Sequence, residues 1–193
     1  MGQDKAALRT ADGSTILERL IGRLSPLVDV VIVAGPRQAG LAADYSDRSL
    51  LYVSDRTPKA GPLAGLEAGM RAAGERVIWV VACDQPDVLP EVGQKLFTEL
   101  GNYDAVVPLI AGKPQPLCAV YAPGLADRAS ALLMTGTRSM MDFLASLRIR
   151  YLRERDLREV DRELRSFVNL NTQSDYEAWF EKELASSEGR QPV

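Results

Sequence analysis

The sequence predicts a single α/β domain built on a mostly parallel sheet with helices on both faces. Three observations carry this. Short apolar runs of strand length alternate with amphipathic stretches along the chain, the signature of repeated strand–helix units. The longest apolar runs, such as residues 77–83, are no longer than a strand. The 193 residues suffice for one hydrophobic core and are too few for two domains of ordinary size. The domain is expected over residues 1–184, with 185–193 as a disordered tail.

In chain order, a helix is expected over 15–24, where Thr15 and Glu18 have capping-box spacing. Strands follow at 28–33 and 50–53, and the Gly61-Pro62 turn opens a helix over 63–73. The most apolar strand spans 77–82. Beyond it come a helix over 91–100, strands at 105–109 and 117–121, helices over 125–134 and 139–147, a weaker strand at 149–152 and a helix over 174–184. The charged stretch RIRYLRERDLREVDRELR is mixed in sign and reads as a solvated face or surface loop.

Composition excludes several classes of function. The formal net charge is −3 and no basic stripe marks a nucleic-acid groove. No apolar run approaches the length of a membrane-spanning helix, and the N-terminus lacks the core of a secretory signal. A cytoplasmic protein is expected. Cys83 and Cys118 sit in apolar, strand-like runs and read as small buried hydrophobes rather than a disulfide. Histidine is absent, so any chemistry must run on carboxylates, lysine, arginine and backbone amides.

Three segments have chemical potential. Asp84, in Cys83-Asp84-Gln85-Pro86, follows the most apolar strand, and ligands of open α/β sheets collect at the C-terminal edge. It can hold Mg²⁺ through a hard oxygen ligand, or serve as a turn or helix cap before proline. Lys59-Ala60-Gly61-Pro62-Leu63-Ala64-Gly65 is a glycine-bearing loop opening a helix; it suits a phosphate or polar ligand edge, or is plain punctuation. Asp55 just ahead of it could accept from ribose hydroxyls or from guanine N–H groups. Lys5, near the start, could neutralise a triphosphate or simply be solvated.

The ordered segments MGQDKA, AGPLAGLEAG, VVACDQPDV, GKPQPLCAVY, GTRSMMDFL and FVNLNTQSDY together resemble the molybdenum cofactor guanylyltransferase family, from Met1 to about Tyr176. The resemblance implies a Rossmann-like nucleotidyltransferase that joins GMP from GTP to molybdopterin carrying molybdenum and releases pyrophosphate. It gives Asp84 the role of Mg²⁺ ligand and Lys5 that of triphosphate contact. Asp55 with Gly61, Pro62, Leu63, Ala64 and Gly65 falls on the nucleoside side. Gln115, Arg138, Ser139, Asn169 and Asn171 fall on the pterin-phosphate side, although Asn169 and Asn171 are also ordinary turn residues. Molybdoenzyme clients or other cofactor-biosynthesis proteins are implied partners. An ionised phosphate oxygen can attack the α-phosphorus without a strong base, so the lack of histidine is no obstacle.

Two departures from the family pattern are visible. That pattern places an apolar strand and a glycine-rich loop, Leu-Ala-Gly-Gly followed by an arginine, immediately before the segment that here begins at Met1-Gly2. The expected explanations are an internal methionine taken as the start, a shortened chain, or a natural protein that no longer catalyses. The second departure is Ala34-Gly35-Pro36, where a polar turn beside the base is expected. The competing functions are a related cytidylyltransferase and a non-catalytic protein that binds or delivers molybdopterin.

Overall fold

A computed structural model describes residues 5–35, 49–54 and 61–188. The elements are α1 (Ile16–Leu24), β1 (Val30–Ala34), β2 (Ser49–Val53), α2 (Pro62–Ala73), β3 (Ile78–Val81), α3 (Pro90–Thr98) and β4 (Ala105–Ile110). They continue with β5 (Lys113–Pro114), β6 (Cys118–Tyr121), α4 (Ala126–Met134), α5 (Met140–Ala145), β7 (Ile149–Arg153), α6 (Glu154–Leu157) and α7 (Gln173–Glu188).

The α/β class is as the sequence predicts. β1 pairs with β2 in parallel, and β4 with β7 in parallel. β6 lies antiparallel between β3 and β4, so those two run in one direction and β6 is the reversal. The short β5 returns against β4. Alternation across the pleat splits the core. Val106, Cys118, Val120 and Leu152 face α1, α3 and α7 with Ile16, Val92 and Trp179. Ala105, Val107, Ala119 and Tyr121 face α2, α4 and α5 with Leu63, Ala129 and Phe143. Each fully buried valine, leucine, isoleucine or phenylalanine among them contributes roughly 1.5–3 kcal/mol.

The capping box read in the sequence is present. Thr15 Oγ1 accepts from Glu18 N at 3.1 Å, and Glu18 Oε2 accepts from Thr15 N. Of the two readings of the charged stretch at 148–165, the surface loop is corrected, while its charged side chains do form a largely solvated face. The stretch holds β7 and α6, and its Leu152, Leu157 and Leu164 are buried among the arginines and glutamates. α7 also runs on to Glu188, past the end at 184 expected from the sequence and into the segment read as a tail. No described helix is long and apolar enough to cross a membrane.

β1 and β3 differ from β6. β6 is buried along its whole length, while β1 and β3 are only half-buried. They belong to separate sheets, and both line one cleft of about 940 Å³ with Leu20 of α1 and Gly65 and Gly69 of α2.

Candidate active site at the C-terminal end of β3

Asp84 stands just beyond β3, in a turn closed by Gln85 N donating to Ala82 O at 3.1 Å. Lys5 Nζ lies 3.2 Å from Asp84 Oδ2 and 3.3 Å from Asn171 Oδ1. The Lys5 and Asp84 side chains are 29% and 26% exposed, shielded by the fold yet open to a solute. Leu170 N donates to Asp84 O at 2.8 Å, tying the Asn169-Leu170-Asn171 segment to the aspartate backbone. Three distant segments therefore meet at the Lys5 ammonium.

Local structure fixes each arm. Asp175 Oδ2 accepts from Asn171 N at 3.0 Å and Thr172 N at 2.7 Å, while Asp175 N donates to Thr172 Oγ1 at 3.1 Å. This is a capping box at the start of α7. The hydrogen bond from the Thr172 amide, with others from Thr172 and Asn171, holds the Asp175 carboxyl below its usual pKa. The Thr172–Asp175 spacing was a sequence signal that the motif reading passed over. Further along, Leu89 N donates to Ser166 Oγ at 3.0 Å, and buried Asp161 accepts from Ser166 N at 2.8 Å, anchoring the loop after Asp84.

Gly61 caps α2 with φ +76°, a backbone conformation that favours glycine. Pro62 has no N–H and Ala64 N donates to Gly61 O at 3.1 Å, so neither supplies a free amide to a ligand. The side chains of Leu63 and Ala64 are buried in the core, and Gly61, Pro62 and Gly65 are the members of the segment that face the cleft. Asp55 lies outside the described residues.

The residues assigned to the pterin side divide. Asn171 joins the Asp84 cluster, and Asn169 is half-buried two residues before it. Gln115 is engaged locally: its N–H donates to Pro108 O at 2.9 Å and its Nε2 to Lys113 O at 3.3 Å. Ser139 caps α5 by accepting from Asp142 N at 3.2 Å. Arg138 is exposed on the connection between α4 and α5.

The donor chemistry at Asp84 bears on metal binding. No group of three His, Cys, Asp or Glu residues is placed to hold an ion among the described residues. A single carboxylate beside a lysine does not cage a metal, but it fits Mg²⁺ that arrives with phosphate oxygens as its other ligands. Cys118 is fully buried, and burial pushes its thiol up to about 12, so it stays neutral and inert. Cys83 is only half-buried and sits in the turn after β3, not inside a strand as the sequence suggested.

Known proteins resemble the chain in sequence and fold. The family model for the MobA-like NTP transferase domain matches residues 1–153. The chain is 32% identical over 175 residues to a protein of Pelotomaculum thermopropionicum named "probable molybdenum cofactor guanylyltransferase", covering 91% of this chain and 83% of that one. It is 29% identical over 177 residues to the molybdenum cofactor guanylyltransferase of Desulfosudis oleivorans, covering 91% and 86%. Among solved structures, the molybdopterin-guanine dinucleotide biosynthesis protein A of Archaeoglobus fulgidus superposes with a TM-score of 0.79 at 29% identity, covering 96% of this chain and 92% of that one.

Proposed function

Because the chain belongs to the MobA-like NTP transferase domain family, we propose that it transfers GMP from GTP to the phosphate of molybdenum-bearing molybdopterin. A phosphate oxygen of the pterin attacks the α-phosphorus of GTP, the bond from that phosphorus to the bridging oxygen breaks, and pyrophosphate leaves with the electron pair. The observation that carries this reading is the convergence of Lys5, Asp84 and Asn171 at the C-terminal end of β3, where ligands of open α/β sheets bind. The names of the similar guanylyltransferases support GTP as donor.

The reaction asks for alignment of two polyanions and neutralisation of developing charge. Lys5 supplies a cation that an arriving triphosphate can draw from Asp84. Asp84, so released, is the residue that would hold Mg²⁺, whose charge would stabilise the departing pyrophosphate. Asn171 offers an amide to orient a phosphate oxygen. Both substrates are charged and water-soluble, which supports a cytoplasmic location.

The cleft between β1 and β3 supports a further strand in the position that the family resemblance gives to an apolar strand and phosphate loop ahead of Lys5. A five-residue strand fills a slab of about 800 Å³, from ~3.3 Å per residue, ~4.8 Å of sheet width and ~10 Å of packing depth. The cleft holds about 940 Å³.

Pyrophosphate release from GTP or CTP, with molybdopterin and Mg²⁺, tests the proposal on this chain and on one extended upstream by such a strand and loop. GTP-dependent release that Asp84→Asn abolishes is the expected result. Turnover with CTP and not GTP would assign the protein to cytidylyl transfer. Binding of molybdopterin without turnover in either form would make it a carrier.

A further inference from the structure

Asp87 lies three residues after the site carboxylate and has no role in the proposed chemistry, yet it is the most connected acid in the loop. Its Oδ1 lies 3.2 Å from Arg19 Nη2 and 3.9 Å from Arg23 Nη1, both on α1. Its Oδ2 accepts from the indole Nε1 of Trp179, on α7, at 2.8 Å. Arg19 also pairs with Glu183 of α7 and stacks over the Trp179 ring at 5.5 Å from its centroid. Arg23 donates to the carbonyls of Pro86 and Val88, each at 3.4 Å, on either side of Asp87.

The segments joined here are the ones that meet in the site. Lys5 belongs to the stretch leading into α1, Asp84 to the loop, and Asn171 to the approach to α7. Asp87 with Arg19 and Trp179 repeats that three-way junction, with all three side chains largely shielded. The charges make the junction depend on Asp87. Burial lowers the pKa of the Arg23 guanidinium and so does neighbouring Arg19, while Asp87 opposes both. Removing the carboxylate leaves Arg19 with Glu183 and Arg23 with the Pro86 and Val88 carbonyls, but takes the loop's acid from between them and the acceptor from the indole N–H, and a polar group stripped of its partner in a shielded site is costly.

We propose that Asp87 is a positioning residue: through Arg19, Arg23 and Trp179 it holds α1, the loop and α7 in the register that lets Lys5 meet Asp84 and Asn171. The inference rests on Lys5–Asp84 as the site, but its structural readout needs no turnover.

The test uses the full chain with Asp87→Asn, and Trp179→Phe as a milder second variant that keeps the ring and removes the N–H donor. Reductive ¹³C-methylation of lysines reports by NMR whether Lys5 remains paired, and the shift of the Trp179 indole N–H reports the junction directly. The expected result is a Lys5 resonance moved to that of a solvated lysine in Asp87→Asn, and part-way there in Trp179→Phe, with both variants folded. Guanylyl transfer should fall in kcat/KM by roughly 10–100-fold, as loss of an orienting partner commonly does. Lys5→Ala should add little in the Asp87→Asn background, because coupled residues are non-additive. An unmoved Lys5 resonance, or additive losses from the two substitutions, would overturn the proposal and leave Asp87 a stabilising ion pair. If Asp87→Asn does not fold, Trp179→Phe decides by the same two criteria. If neither the parent chain nor its upstream-extended form shows transfer, the functional reading fails while the NMR result still judges the junction.

Discussion

Lys5 and Asp84 balance one another across 3.2 Å, so a substitution at either is felt through its partner. Lys5→Ala should weaken binding of a nucleoside triphosphate more than of the monophosphate, measured by calorimetry with GTP and GMP. An equal loss for both would deny Lys5 its contact with the outer phosphates. Asp12 gives a residue-scale prediction about pH. Hydrogen bonds from Thr10 Oγ1 at 2.6 Å and Ser14 Oγ at 2.7 Å, with the Ser14 amide, lower its pKa to about 2. Its folded value is below its unfolded one, so its contribution is complete above the ordinary carboxylate pKa and is lost as pH falls through about 2. Asp12→Ala should therefore lower Tm at pH 7 and flatten the fall of Tm between pH 4 and 2. A parallel offset across that range would contradict the assignment. At this scale Asp84 was legible because it follows the most apolar strand, and Lys5 and Asn171 through resemblance. Asp87 was not, because its meaning lies in partners 68 and 92 residues away.

Elements were most legible where a local device fixed their ends. Thr15 and Glu18 announced α1, and both halves of the box form. Thr15→Ala should destabilise the protein by about 1 kcal/mol, lowering Tm by roughly 2–4 °C in a chain of this size, and chemical denaturation would check it. No change would mean that packing of Ile16, Leu17, Leu20 and Ile21, not the cap, holds the helix. Legibility failed where charge masked burial. Between residues 148 and 165 the leucines are spaced among arginines and glutamates, so mean polarity suggested solvent, while Leu152, Leu157 and Leu164 turn inward. β7 pairs in parallel with β4, its partner more than 40 residues earlier, and nothing local in the sequence reveals that register. Ser139, which the motif match places on the pterin side, also has a local use: its hydroxyl caps α5, as serine before a helix commonly does.

For the molecule as a whole, the open seam between β1 and β3 is the least expected feature, since composition alone promised a continuous core. Gly69 of α2 borders it, and a Cβ built there meets no atom within 4 Å. In this chain Gly69→Leu should be tolerated, and it should stabilise slightly, because glycine inside a helix costs roughly 0.5–1 kcal/mol relative to alanine and the new side chain covers apolar wall. In a chain extended by a strand that fills the seam, the same leucine would occupy space that the strand's side chains need. Overpacking of a filled core costs about 1–3 kcal/mol. The sign of the Gly69→Leu effect on Tm should therefore reverse between the two chains, and exchange of the β1 and β3 amides should slow in the extended chain until the leucine is introduced. If Gly69→Leu acts alike in both, the added strand lies elsewhere and the seam is a binding cleft in its own right.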